Sequence, residues 1–102
     1  EVTAIRHACQ QIENFQLQGA TIYSSCEPCP MCLAAIYWAR LDRVVYACTR
    51  TDAADIGFDD AHIYNEMPLK NEQRSIQIET MLRNEGLEAF DDWKTKEDKV
   101  RY

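Results

Sequence analysis

The heptapeptide Cys26-Glu27-Pro28-Cys29-Pro30-Met31-Cys32 constrains this chain more than any other feature. Ahead of it stands Ala20-Thr21-Ile22-Tyr23-Ser24-Ser25, short, β-branched and aromatic, which predicts a strand. Pro30 suits the first position of a helix and makes Cys29 its cap. The run Leu33-Ala34-Ala35-Ile36-Tyr37-Trp38-Ala39 is apolar on every side, so the helix it predicts should be buried over most of its surface. Arg40 stands near that helix's negative end, and Arg43-Val44-Val45-Tyr46-Ala47-Cys48 reads as a second strand. Strand, helix and strand in that order make a βαβ unit with parallel strands.

Before this unit, Val2, Ile5, Cys9 and Ile12 recur at helical spacing with Ala4 and Ala8 beside them. The helix they predict fades near Asn14, and Gly19 ends the connection. No capping residue precedes its first turn, which suggests that natural sequence stands ahead of Glu1. Thr49 to Asp60 is polar and acidic and contains Gly57, as in a surface loop with at most a short helical turn. Ile76, Ile78 and Met81 fall near alternation within Gln73 to Leu82 and predict a third strand. Leu87, Phe90 and Trp93 are spaced by three, as in a short amphipathic helix, and residues 94–99 are a mixed-charge solvated stretch.

A length of 102 residues fits one domain over 1–102, and a hydrophobic content of 46% excludes wholesale disorder. No apolar run approaches the ~20 residues of a helical membrane span. With 11 Lys and Arg against 17 Asp and Glu, the net charge of -6 argues against a dedicated nucleic-acid binder. The five cysteines are odd in number, and three crowd into the heptapeptide. That pattern fits reduced thiols in a cytoplasmic setting better than a disulfide scaffold.

Cys29 and Cys32, three apart at a helix start, lie on one face where unpaired N–H groups favour thiolate. Paired thiolates supply half of a tetrahedral zinc shell. Cys-Pro-x-Cys after a strand suits a redox pair equally well. Unligated buried thiols are the third option, and the prolines that pin this turn weaken it.

Pro28-Cys29-Pro30-Met31-Cys32 matches in full the second half of the zinc deaminase signature, H-x-E followed by P-C-x-x-C. Glu1-Val2-Thr3-Ala4-Ile5-Arg6 resembles the segment just after the His of the first half. On these residues the chain is identified as a member of the cytidine deaminase-like superfamily. The closer resemblance is to the bacterial guanine deaminases of that fold, through Tyr23 to Cys32, Ala35-Ile36-Tyr37-Trp38-Ala39-Arg40, Thr51 to Asp60 and the ending at Tyr102. The resemblance implies an α/β class, a three-layer α-β-α fold with a mixed central sheet, whose first helix and strands would precede Glu1. The family's zinc-binding His stands two positions before the Glu, ahead of the sequence seen here.

The same resemblance implies Zn2+ held by Cys29, Cys32 and that His. Glu1 would take a proton from water and return protons to a ring nitrogen and to the leaving ammonia, converting guanine to xanthine. On residue type alone, Glu1 is an ordinary first-turn carboxylate favoured by the helix dipole. A carboxylate can accept two N–H bonds at once, which suits guanine's N1–H and N2–H₂, and the resemblance selects Asp60 for that contact. Asp55 and Asp59 read better as solvated loop acids. Tyr102 would help form the pocket of a partner in a homodimer that exchanges its C-terminal segment, roughly residues 84–102. Cys26 is expected as a packed thiol, His7 as a solvent or core residue, His62 away from ligand, and Trp38 in the core. Phe58 could stack on a base or anchor its loop.

Competing functions are tRNA adenosine or cytosine deamination within the superfamily, and thiol oxidoreduction outside it. The acidic loop after Cys48 opposes a polyanionic substrate. A structural zinc module would need four ligands, and no second pair has the required spacing.

Overall fold

The computed structural model describes residues 1–102 and divides them into two units, Glu1–Leu69 and Lys70–Tyr102. The first unit opens with helix α1 (Val2–Gln11), followed by strand β1 (Thr21–Cys26), helix α2 (Pro30–Trp38) and strand β2 (Arg43–Cys48). β1 and β2 pair in parallel, with Ile22 opposite Val44, Ser24 opposite Tyr46 and Cys26 opposite Cys48. The βαβ unit therefore forms as expected from the alternation of strand-forming and all-apolar segments. The sheet these residues build is this parallel pair alone.

Ile5, Leu17, Ile22, Ile36 and Ala39 form the buried core, joining α1, β1 and α2. Burying each large aliphatic side chain stabilises the fold by about 1.5–3 kcal/mol. Val44, Ala35 and Leu41 pack against the same cluster. Backbone bonds close the corners. The Leu17 amide donates to the Ala39 carbonyl at 2.7 Å, and the Asp42 amide donates to the Ala20 carbonyl at 3.1 Å.

Cys29 caps α2 and Pro30 occupies its first turn, as the sequence predicts. The helix is less enclosed than its composition suggests. Pro30, Cys32 and Ile36 are buried, whereas Met31, Tyr37 and Trp38 are exposed. A nine-residue helix lying on a two-stranded sheet can bury only the side that faces it. Trp38, 66% exposed, is thus a surface residue here and not a core one.

Beyond β2 the acidic segment holds more helix than a single turn. Helix α3 (Arg50–Asp55) starts at Thr49, whose hydroxyl accepts the Asp52 amide at 3.2 Å while the Asp52 carboxylate accepts the Thr49 amide at 2.7 Å. This reciprocal capping box satisfies two otherwise orphaned amides. Gly57 follows at φ +93°, a conformation open to glycine, and lets the Phe58 amide reach back to the Ala53 carbonyl at 2.9 Å. A further short helix, α4 (Ala61–Glu66), begins after Asp60.

The second unit holds a 3-10 turn at Asn71–Gln73 and helix α5 (Arg83–Thr95). α5 carries Leu87, Phe90 and Trp93, and Lys99 caps its last carbonyls, donating to Trp93 at 3.1 Å and Lys94 at 2.7 Å. The third strand predicted over Gln73 to Leu82 is absent. Those residues run from the 3-10 turn into irregular backbone, with Ile76 and Ile78 exposed. Alternation marks a strand only where a second strand offers its edge, and none pairs with this segment.

Candidate active site

Parallel pairing brings the C-terminal ends of β1 and β2 to one side, and the start of α1 meets them there. Glu1 stands at the cap position of α1, and its backbone carbonyl accepts the Ile5 amide at 2.9 Å. Its carboxylate does not cap the helix. It turns to β1 instead, where the Ser24 hydroxyl donates to it at 2.5 Å. That hydrogen bond leads in holding the Glu1 carboxyl below its ordinary range, with the Cys32 thiol also contributing and burial opposing. The Cys32 thiol lies against both the Glu1 carboxylate and the Cys29 thiol. Burial first, then hydrogen bonding to Glu1 and Cys29, pushes its pKa up to about 11. Glu1, Cys29 and Cys32, drawn from two elements, are therefore one cluster.

The cluster borders an open cleft of about 760 Å³. Glu1, Cys29, Cys26 and Cys48 line it, together with Ile56, Phe58, Asp59 and Asp60 from the segment after α3. The Glu27 carboxylate accepts the Arg50 amide at 2.9 Å, tying the corner after β1 to the start of α3. The guanidinium of Arg50 stacks over the Tyr64 ring, 4.4 Å from its centroid.

Several sequence expectations can be placed against this cleft. Asp60 lines it and is half-buried. Asp59 and Phe58 line it too, both exposed. Asp55 does not line it, in keeping with a solvated acid. His7 is exposed on α1, and His62 is exposed on α4, outside the cleft lining. Cys26 is half-buried but faces the cleft, and its thiol contacts the Thr49 carbonyl at 3.9 Å, so it is more than a packed thiol. Tyr102 belongs to the second unit and is 51% exposed. Sequence reasoning did not select Ser24, Glu27, Cys48 or Arg50. The usable signal for Ser24 was its parity with Ile22, which sets it on the core-facing side of β1 where a hydroxyl needs a partner.

Residues 1–48 match the cytidine and deoxycytidylate deaminase zinc-binding region. Over all 102 residues the chain is 48% identical to guanine deaminase of Bacillus subtilis (strain 168), spanning 65% of that protein's length. The X-ray structure of guanine deaminase from Bacillus subtilis superposes with a TM-score of 0.93 over 99% of this chain and 64% of that one. The chain therefore has the cytidine deaminase-like fold of that guanine deaminase. A tRNA-specific adenosine deaminase of Bacillus subtilis (strain 168) is 41% identical, but over 46 residues, 45% of this chain and 29% of that protein.

The region matched by residues 1–48 is a zinc-binding one, and the donor chemistry of the cluster fits zinc. Cys29 and Cys32 present two sulfurs on one helix turn, with a carboxylate directly beside them. No group of three or more His, Cys, Asp or Glu is arranged to hold a metal ion. No helix is long and apolar enough to cross a membrane.

Proposed function

We propose that this chain carries the reaction centre of a zinc-dependent guanine deaminase, hydrolysing guanine to xanthine and ammonia. The observation that carries the reading is the 48% identity to a guanine deaminase along the whole chain. Zinc, when bound through Cys29 and Cys32, supplies a Lewis acid beside which water ionises near neutral pH. Glu1 accepts the proton of the attacking water. It then delivers protons to a ring nitrogen and to the departing ammonia. Ser24 holds the carboxylate on its cleft-facing path through the 2.5 Å bond. Asp60, which lines the cleft, accepts the N1–H and N2–H₂ edge of guanine, a donor pattern that cytosine lacks.

The proposal extends to a cytoplasmic homodimer. In it the C-terminal segment crosses to the partner, and Tyr102 completes the partner's pocket. Its support is that the similarity to guanine deaminase extends over all 102 residues, the C-terminal segment included.

The test is ammonia release by the full-length natural protein loaded with zinc, offered guanine, cytosine and an adenosine-containing tRNA stem-loop. Xanthine and ammonia from guanine, at a kcat/KM well above the other two, is the expected result. Preference for either of the others would replace this reading with that deamination.

A further inference from the structure

We propose that Cys26 and Cys48 form a dithiol site that undergoes exchange with small-molecule disulfides such as oxidised glutathione. The two residues end β1 and β2 and are direct register partners. Parallel strands run ~4.7–4.9 Å apart, and residues opposite one another point to the same face. Disulfides span Cα separations of roughly 4.4–6.8 Å, so the register places this pair within bonding reach. Two contacts and a shared cleft lining agree with that placement. The Glu27 amide donates to the Cys48 carbonyl at 2.8 Å, which holds the strand ends in register. The Cys26 thiol leans toward the end of β2, reaching the Thr49 carbonyl at 3.9 Å. Both cysteines line the cleft, Cys48 exposed and Cys26 half-buried.

Neither thiol belongs to the Cys29–Cys32 pair, and deamination assigns no role to either. The exposed Cys48 is the attacking group. Its thiolate forms a bond to one sulfur of oxidised glutathione, breaking that S–S bond and releasing the first glutathione as thiolate. The Cys26 sulfur then attacks Cys48 in the mixed disulfide and displaces the second glutathione. The two protein thiols lose two protons and two electrons, and the two released glutathiones gain them. The product joins the ends of β1 and β2 on the wall of the cleft, and excess dithiothreitol reverses it.

The reduced chain is incubated with rising oxidised glutathione, quenched with iodoacetamide, and mapped by peptide mass spectrometry. Cys26 and Cys48 should disappear together from the alkylated pool and return as one linked peptide pair. Cys48→Ser should leave Cys26 alkylatable under the same conditions. Cys48 that stays reduced, or stops at the mixed disulfide, overturns the proposal. So does a link from either residue to Cys29 or Cys32. The readout involves no nucleobase, so its failure is distinct from failure of the guanine reading.

Discussion

The Ser24 hydroxyl donates a 2.5 Å hydrogen bond to the Glu1 carboxylate from 23 residues away in sequence. A strand residue thereby aims a helix-start acid into the cleft and keeps it ionised. Glu1→Gln should retain zinc and lower kcat by about 10²–10⁴, the usual scale of a lost acid–base group. Ser24→Ala removes a hydrogen bond to a charged group, a loss of about 1.5–3 kcal/mol, and should lower kcat roughly tenfold or more while KM moves little. Steady-state kinetics with metal analysis check both. A Gln variant with near-normal turnover would remove Glu1 from the chemistry.

Asp60 lines the cleft from the segment between α3 and α4, apart in sequence from the cysteine pair, so its loss should act on substrate and not on metal. Asp60→Ala should raise KM for guanine by tenfold or more, the scale of about 1.5–3 kcal/mol for a charge-assisted contact. Bound zinc should be unchanged. Unaltered KM, or a variant stripped of metal, would take Asp60 out of substrate recognition.

The 102-residue chain should hold zinc weakly, because the proposed ligands Cys29 and Cys32 make up half of a tetrahedral shell and no group of three or more His, Cys, Asp or Glu is arranged to hold a metal ion. Competition with a colorimetric chelator measures this directly. Affinity should fall further below neutral pH as the thiols compete with protons, the raised Cys32 above all. Tight one-to-one zinc in this chain would mean that another of its residues completes the shell.

The capping box of α3 should make its segment acid-sensitive. The Thr49 backbone bond, then the Thr49 side-chain bond, lowers the Asp52 pKa. A carboxylate lowered on folding contributes stability above its unfolded pKa and loses it as pH falls through the folded value. Exchange protection of the Thr49 amide should therefore persist at pH 5 and decline only below the ordinary Asp range near 3.8. Asp52→Asn should abolish that dependence. A wild-type chain whose Thr49 protection ignores pH would contradict this linkage.

The sequence disclosed what local chemistry determines. β-branched runs, a proline at a helix start and a PCxxC spacing each fix a conformation or a function within a few residues, and the βαβ unit from Thr21 to Cys48 arises from them. It disclosed less where the outcome depends on a distant surface. Ile76 and Ile78 alternate like a strand but meet no paired edge. Trp38 is as apolar as Ile36, and only the direction of its side chain separates an exposed residue from a buried one. The Ser24–Glu1 bond and the Cys26–Cys48 register depend on how the strands align, which no single segment encodes.

Because β1 and β2 point the same way, their outgoing turns meet at one rim, while the aliphatic cluster of Ile5, Ile22 and Ile36 lies beneath. Selection can therefore rewrite the residues after Cys48 and alter which molecule is admitted, with the foundation left standing. Loop grafts between relatives of differing appetite should be tolerated at this rim far better than equal-sized exchanges inside α2.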